Sequence, residues 1–130
     1  MIRAKDKTIL LVEDEPVMIK LLADGFVTAG FNVLQAKDGE EGLLIALQKK
    51  PDLIILDISM PKMDGLTTMK KVRETEWGKA VPIIVLTNLS ANDEIMSSVI
   101  KEEPSYYFMK TEWEIEKLVE KVKQELQVDS

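Results

Sequence analysis

The sequence predicts an α/β fold built on a parallel sheet, on three observations. Apolar runs alternate with amphipathic stretches five times along the chain, the signature of repeated βα units. One run, Leu53-Ile54-Ile55-Leu56, is unbroken aliphatic, as in a strand buried on both faces. Two runs end in acid: Ile9-Leu10-Leu11-Val12 passes into Glu13-Asp14, and Leu53–Leu56 into Asp57. A lone charge is costly to bury, so these carboxylates belong at strand carboxyl ends, the edge where open α/β sheets keep their ligand crevices.

In chain order, strands are expected near 8–12, 31–36, 53–57, 82–87 and 106–109, and helices near 15–29, 38–49, 64–75, 91–101 and 112–127. Pro16 suits the first turn of the first helix and Gly30 its stop. Met18, Leu22, Phe26 and Ala29 share one face at helical spacing. Gly39 and Gly42 lie in the opening turns of the second helix, which Pro51 closes. Asp64-Gly65 supplies turn chemistry near Asp57 and can cap the following turn in its place. Thr111-x-x-Glu114 reads as a capping box for the last helix, followed by the apolar stripe Ile115, Leu118, Val122 and Leu126. The expectation is one domain over residues 1–130, with a core of 7–127 and no second domain.

The 130 residues are 45% hydrophobic and 31% charged, a globular rather than a disordered composition. A net charge of -6 argues against direct nucleic-acid binding, which rewards basic surfaces. Neither a membrane span nor a secretory leader is evident, so a cytoplasmic location is expected. The chain has no cysteine and no histidine. That excludes disulfides, thiolate sites, histidine triads and a phosphate carried on its own imidazole. Chemistry is left to carboxylates, hydroxyls, lysine or a bound cation.

Three constellations carry that chemistry. Glu13, Asp14 and Asp57 would bring clustered oxygens to one edge, a donor set suited to magnesium. Acids at 13–15 equally suit a helix N-terminus, where the macrodipole favours them. Asp57 is a candidate nucleophile, since a carboxylate managed by a cation forms an acyl phosphate. Thr87 ends the fourth apolar run and Lys110 the fifth, bringing a hydroxyl donor and a point charge to the same edge. Singly, each has a bland reading: Thr is common in strands, and a strand-end Lys snorkels.

With Leu11-Val12-Glu13-Asp14-Glu15, Asp57-x-x-Met60-Pro61-x-Met63-Asp64-Gly65, Thr87 and Lys110 in order, residues 7–127 resemble the receiver domain of two-component response regulators, of the stand-alone, chemotaxis-regulator-like type. The resemblance implies a flavodoxin-like, doubly wound five-stranded parallel sheet of order 2-1-3-4-5 with five helices. It implies Asp57 as phosphoacceptor and Mg2+ held by Asp14, Asp57 and the Ser59 carbonyl, with Glu13 acting mostly through water. Lys110 would neutralise phosphoryl charge, and Thr87 and Tyr107 would form the coupled switch. Ser59 and Leu89 would tune phosphoryl lifetime. The implied donor is a sensor histidine kinase or histidine phosphotransfer protein. The implied readout is a shift of the face made by helix four, strand five and helix five toward an unknown protein target. Such a chain is a signalling module, not a conventional enzyme, acting as a monomer or weak homodimer. Ile95, Met96, Val99 and Ile100 of helix four are either core or interface.

Three positions depart from the family pattern. Asn88 follows Thr87 where a small residue is usual, which bears on access to the phosphate. Glu103-Pro104 stands where Gly-Ala is common, predicting a stiffer or reshaped loop. Lys110 precedes Thr111, not Pro. A non-proline cis bond costs about 2.5–4 kcal/mol, so a trans Lys110-Thr111 bond is expected. Two rival functions are a degenerate receiver used as a constitutive docking module and an aspartate-nucleophile phosphatase. The phosphatase needs a second Asp two residues after the nucleophile, where this chain has Ser59.

Overall fold

The computed structural model describes residues 1–58, 64–87, 94–110 and 114–129. Five strands alternate with five helices: β1 (Thr8–Val12), α1 (Pro16–Thr28), β2 (Asn32–Ala36), α2 (Gly39–Lys49), β3 (Leu53–Asp57), α3 (Gly65–Arg73), β4 (Ile83–Thr87), α4 (Glu94–Lys101), β5 (Tyr106–Met109) and α5 (Ile115–Leu126). Every strand pairing is parallel, and the sheet order is β2-β1-β3-β4-β5.

Alternation along the central strands divides the core into two layers. Leu10, Val12, Ile54, Leu56, Ile83 and Val85 face α2, α3 and α4, where Ala46, Met69, Val72, Met96 and Val99 close over them. Ile9, Leu11, Leu53, Ile55, Ile84 and Leu86 face α1 and α5 and meet Leu22, Phe26, Leu118 and Val122. β3 and β4 are buried throughout, whereas the edge strands β2 and β5 are partly exposed. Met96 and Val99 are thus core residues, while Ile100 is exposed. Each fully buried aliphatic contributes about 1.5–3 kcal/mol, so the unbroken runs stabilise the centre of the sheet most.

Helix ends follow the expected punctuation except at α5. Pro16 opens α1, and Gly30 ends it with φ +100, a conformation costly for residues with a Cβ. Asp64 caps α3 by accepting a hydrogen bond from Thr67 N at 2.8 Å. Gly65 then passes so close to the Asp57 carbonyl and Ile58 Cα that a Cβ there would collide with backbone. At α5 the helix begins at Ile115, with Glu114 extended and providing no side-chain cap. Glu114 is therefore not the third helical residue of a capping box: the chain enters the helix only where Ile115 and Leu118 can reach the core. Thr111 and its peptide bond to Lys110 lie outside the described residues, as do Ser59, Asn88 and Leu89.

Arg73, the last residue of α3, gathers the far end of the molecule. Its guanidinium donates to the carbonyls of Gly78 (2.7 Å), Val81 (2.6 Å), Glu102 (2.9 Å) and Glu103 (3.1 Å). Glu103 has φ +54, so the loop before β5 takes a glycine-like turn without a glycine.

Candidate functional site

Parallel strands present all their carboxyl ends on one edge, and the ladder levels them. Val12 pairs with Leu56, Asp57 with Leu86, and Thr87 with Met109. Backbone hydrogen bonds hold the exits in step: Glu13 N to Ala36 O at 3.0 Å, Ile58 N to Leu86 O at 3.1 Å and Lys110 N to Thr87 O at 2.7 Å. Glu13, Asp14, Asp57, Thr87 and Lys110 are therefore brought to one edge by the sheet.

Lys110 is the hub. Its Nζ lies 3.1 Å from Asp57 Oδ2 and 3.2 Å from both Glu13 Oε1 and Glu15 Oε1. Asp57 and Thr87 are 0% exposed, and the Lys110 side chain is 7% exposed. Burial pulls the Lys110 ammonium toward neutrality, but the charges of Asp57 and Glu13 outweigh it and hold its pKa above the ordinary lysine value. Glu13 shows the opposite balance. Burial, then the negative charge of Asp57, raises its pKa from 4.5 to about 7, against the pull of the Glu15 amide and Lys110.

Glu13, Asp14 and Asp57 each offer a carboxylate oxygen within 4.8 Å of the others. Glu13 Oε2 accepts from Glu15 N at 3.2 Å. Glu13 Oε1 is buried and receives no hydrogen bond; Lys110 is within ion-pair distance but off the hydrogen-bonding direction. An orphaned carboxylate oxygen beside two other acids, without nitrogen or sulfur donors, fits a hard divalent cation. Helix capping does not account for these acids, since even Glu15, the N-cap of α1, makes no side-chain cap bond.

Tyr107 stands apart from this cluster. It lies opposite Val85 on β5, 37% exposed, with its ring 6.5 Å from that of Tyr106. Two residues escaped the sequence reading. Glu15 was legible only as helix-terminal charge, although Glu is a poorer N-cap than Asp or Ser, which was the available signal. Arg73 gave no signal, because its acceptors are main-chain carbonyls.

Comparison with known proteins gives the family and the fold. The family model for the response regulator receiver domain matches residues 9–123. The alkaline phosphatase synthesis transcriptional regulatory protein PhoP of Bacillus subtilis (strain 168) is 40% identical over 95 residues, covering 73% of this chain and 38% of that protein. The chain spans about a third of the length of the curated relatives it matches. Among solved structures, the chemotaxis protein CheY4 of Vibrio cholerae aligns with a TM-score of 0.83 at 27% identity, covering 91% of this chain and 97% of that one. The receiver domain of the sensor histidine kinase PA1611 from Pseudomonas aeruginosa PAO1, with a magnesium ion coordinated in its active site cleft, aligns with a TM-score of 0.82 at 27% identity, covering 91% and 95%.

Proposed function

The chain belongs to the response regulator receiver domain family, and from that premise we propose that it is a phosphorylation-dependent switch with Asp57 as phosphoacceptor. The observation that carries this reading is the convergence on Asp57: an ammonium 3.1 Å from its carboxylate, and oxygens of Glu13 and Asp14 within 4.8 Å.

The donor expected for this family is a phosphohistidine, and because this chain has no histidine it would lie on a partner kinase or phosphotransfer protein. An Asp57 carboxylate oxygen forms the new O–P bond as the donor's P–N bond breaks, and the imidazole keeps the bonding pair and takes up a proton. Such a transfer needs in-line positioning and charge neutralisation more than covalent help. Burial fixes the Asp57 rotamer, and Lys110 offsets the repulsion between two anionic reactants. Thr87, whose carbonyl holds the Lys110 backbone at 2.7 Å, would turn its hydroxyl to a phosphoryl oxygen. Magnesium, held by Glu13, Asp14, Asp57 and the Ser59 carbonyl, would supply further positive charge at the same point.

The modification replaces the single charge of the Asp57 carboxylate by about −2 on the acyl phosphate, a net gain of about one negative charge plus new acceptor oxygens beside Lys110, biasing the loop after β4. Tyr107 turning inward would carry the change to the α4-β5-α5 face as a population shift. A hollow of about 690 Å³ on that face, bordered by Ile100, Pro104, Tyr107 and Lys117, supports it as the place where a target protein reads the state. Asp57→Asn is expected to abolish acid-labile, hydroxylamine-sensitive label from acetyl phosphate or a cognate phosphohistidine. Undiminished label in that variant would refute the assignment.

A further inference from the structure

We infer that Glu15 is a positioning residue for Lys110, competing with Asp57 for the ammonium and so setting how fully Lys110 serves the phosphoryl group; this rests on the reading of Lys110 as the phosphoryl counter-ion. Glu15 Oε1 reaches Lys110 Nζ at 3.2 Å across 95 residues of sequence. It does so from the N-cap of α1, where a carboxylate normally turns in to its own helix amides; the Glu15 side chain makes no such bond. Its reach is toward Lys110.

An ammonium has three protons, and three carboxylates surround this one. Asp57 and Glu15 accept hydrogen bonds from it, Glu13 is held at ion-pair distance only, and a phosphoryl group on Asp57 adds oxygens that compete with these partners for the same ammonium. Glu13 and Asp57 are 1% and 0% exposed and would be left in a dry site. The Glu15 side chain is 59% exposed, and water can replace Lys110 there. Glu15 is thus the partner released at least cost, and its contact opposes the phosphorylated state by about the worth of an exposed ion pair, roughly 1.5- to 5-fold in affinity.

The test is beryllofluoride titration of the full chain at saturating magnesium, with Glu15→Gln, Glu15→Asp and Lys110→Met, alongside the Lys110 15Nζ resonance in the metal-free protein. Glu15→Asp keeps the charge but draws it back by one methylene and favours capping α1. Both Glu15 variants are expected to tighten beryllofluoride about 2- to 5-fold and to shift the Nζ resonance. Adding Glu15→Gln to Lys110→Met should then change nothing further. If Glu15→Asp binds like the parent while Glu15→Gln tightens, the effect is one of field and not of contact, and the inference fails. It fails also if neither variant alters affinity. A parent protein that ignores beryllofluoride would instead sink the phosphoacceptor reading. The Nζ resonance would still judge Glu15, since no shift in Glu15→Asp means that it does not hold the ammonium.

Discussion

Glu13 keeps its proton to about pH 7 in the folded protein but loses it near 4.5 when unfolded. A folded-state pKa raised in this way adds stability that is complete below the unfolded value and is lost as pH rises through the folded one. With no histidine in the chain, no side chain of ordinary pKa titrates between about pH 5.5 and 7.5. The urea midpoint of the cation-free protein is therefore expected to fall across that window. Asp57→Asn should shallow the fall, because it removes the second cause of the shift while burial, the larger, remains. A flat midpoint in the parent protein would contradict the account. The same crowding means that Asp57 weakens the fold around it: at neutral pH, Asp57→Asn should be more stable than the parent by about 1–2 kcal/mol in the absence of cation.

At the scale of elements, Arg73 fastens the end of α3 to the C-terminal end of α4 and to the loop entering β5. Arg73→Met keeps the aliphatic stem but strips hydrogen bonds from four carbonyls, and should cost about 2–4 kcal/mol. Amide exchange should accelerate at residues 102–106 before it does in β1 or β3. Equal protection throughout would show that the clamp does not hold that loop. Glu103 lies in the same turn, and its φ of +54 is a strained conformation for a residue with a Cβ. Glu103→Gly should relieve more strain than it adds in unfolded-chain entropy, raising stability by about 0.5–1 kcal/mol in urea.

For the whole molecule, folding gathers acids from two strand exits that the unfolded chain holds far apart, so a cation that binds only the folded state must stabilise it. Free magnesium at a hundred times its dissociation constant should add about 2.7 kcal/mol, read as a higher thermal midpoint, and Asp57→Asn should lose most of that gain. An unchanged midpoint in millimolar magnesium would argue against the cation site. The face proposed for readout lies to one side of the sheet edge, where exposed Tyr107 and Ile100 flank the hollow beside β5, while Met96 and Val99 of the same α4 are sealed in the core. Among the described residues, no helix is long and apolar enough to cross a membrane.

Strand positions and the edge carrying Glu13, Asp14, Asp57, Thr87 and Lys110 were legible in the chain itself, because period, run length and terminal acids are local properties. The strand order came through resemblance, since alternating βα units admit more than one winding. Only tertiary structure decided which acids share Lys110, that Glu15 is one of them, and that α5 waits until Ile115 to begin. It alone brought Arg73 to four carbonyls. These outcomes depend on distances between segments far apart in sequence, and the identity of a residue does not encode which main-chain oxygen will arrive beside it.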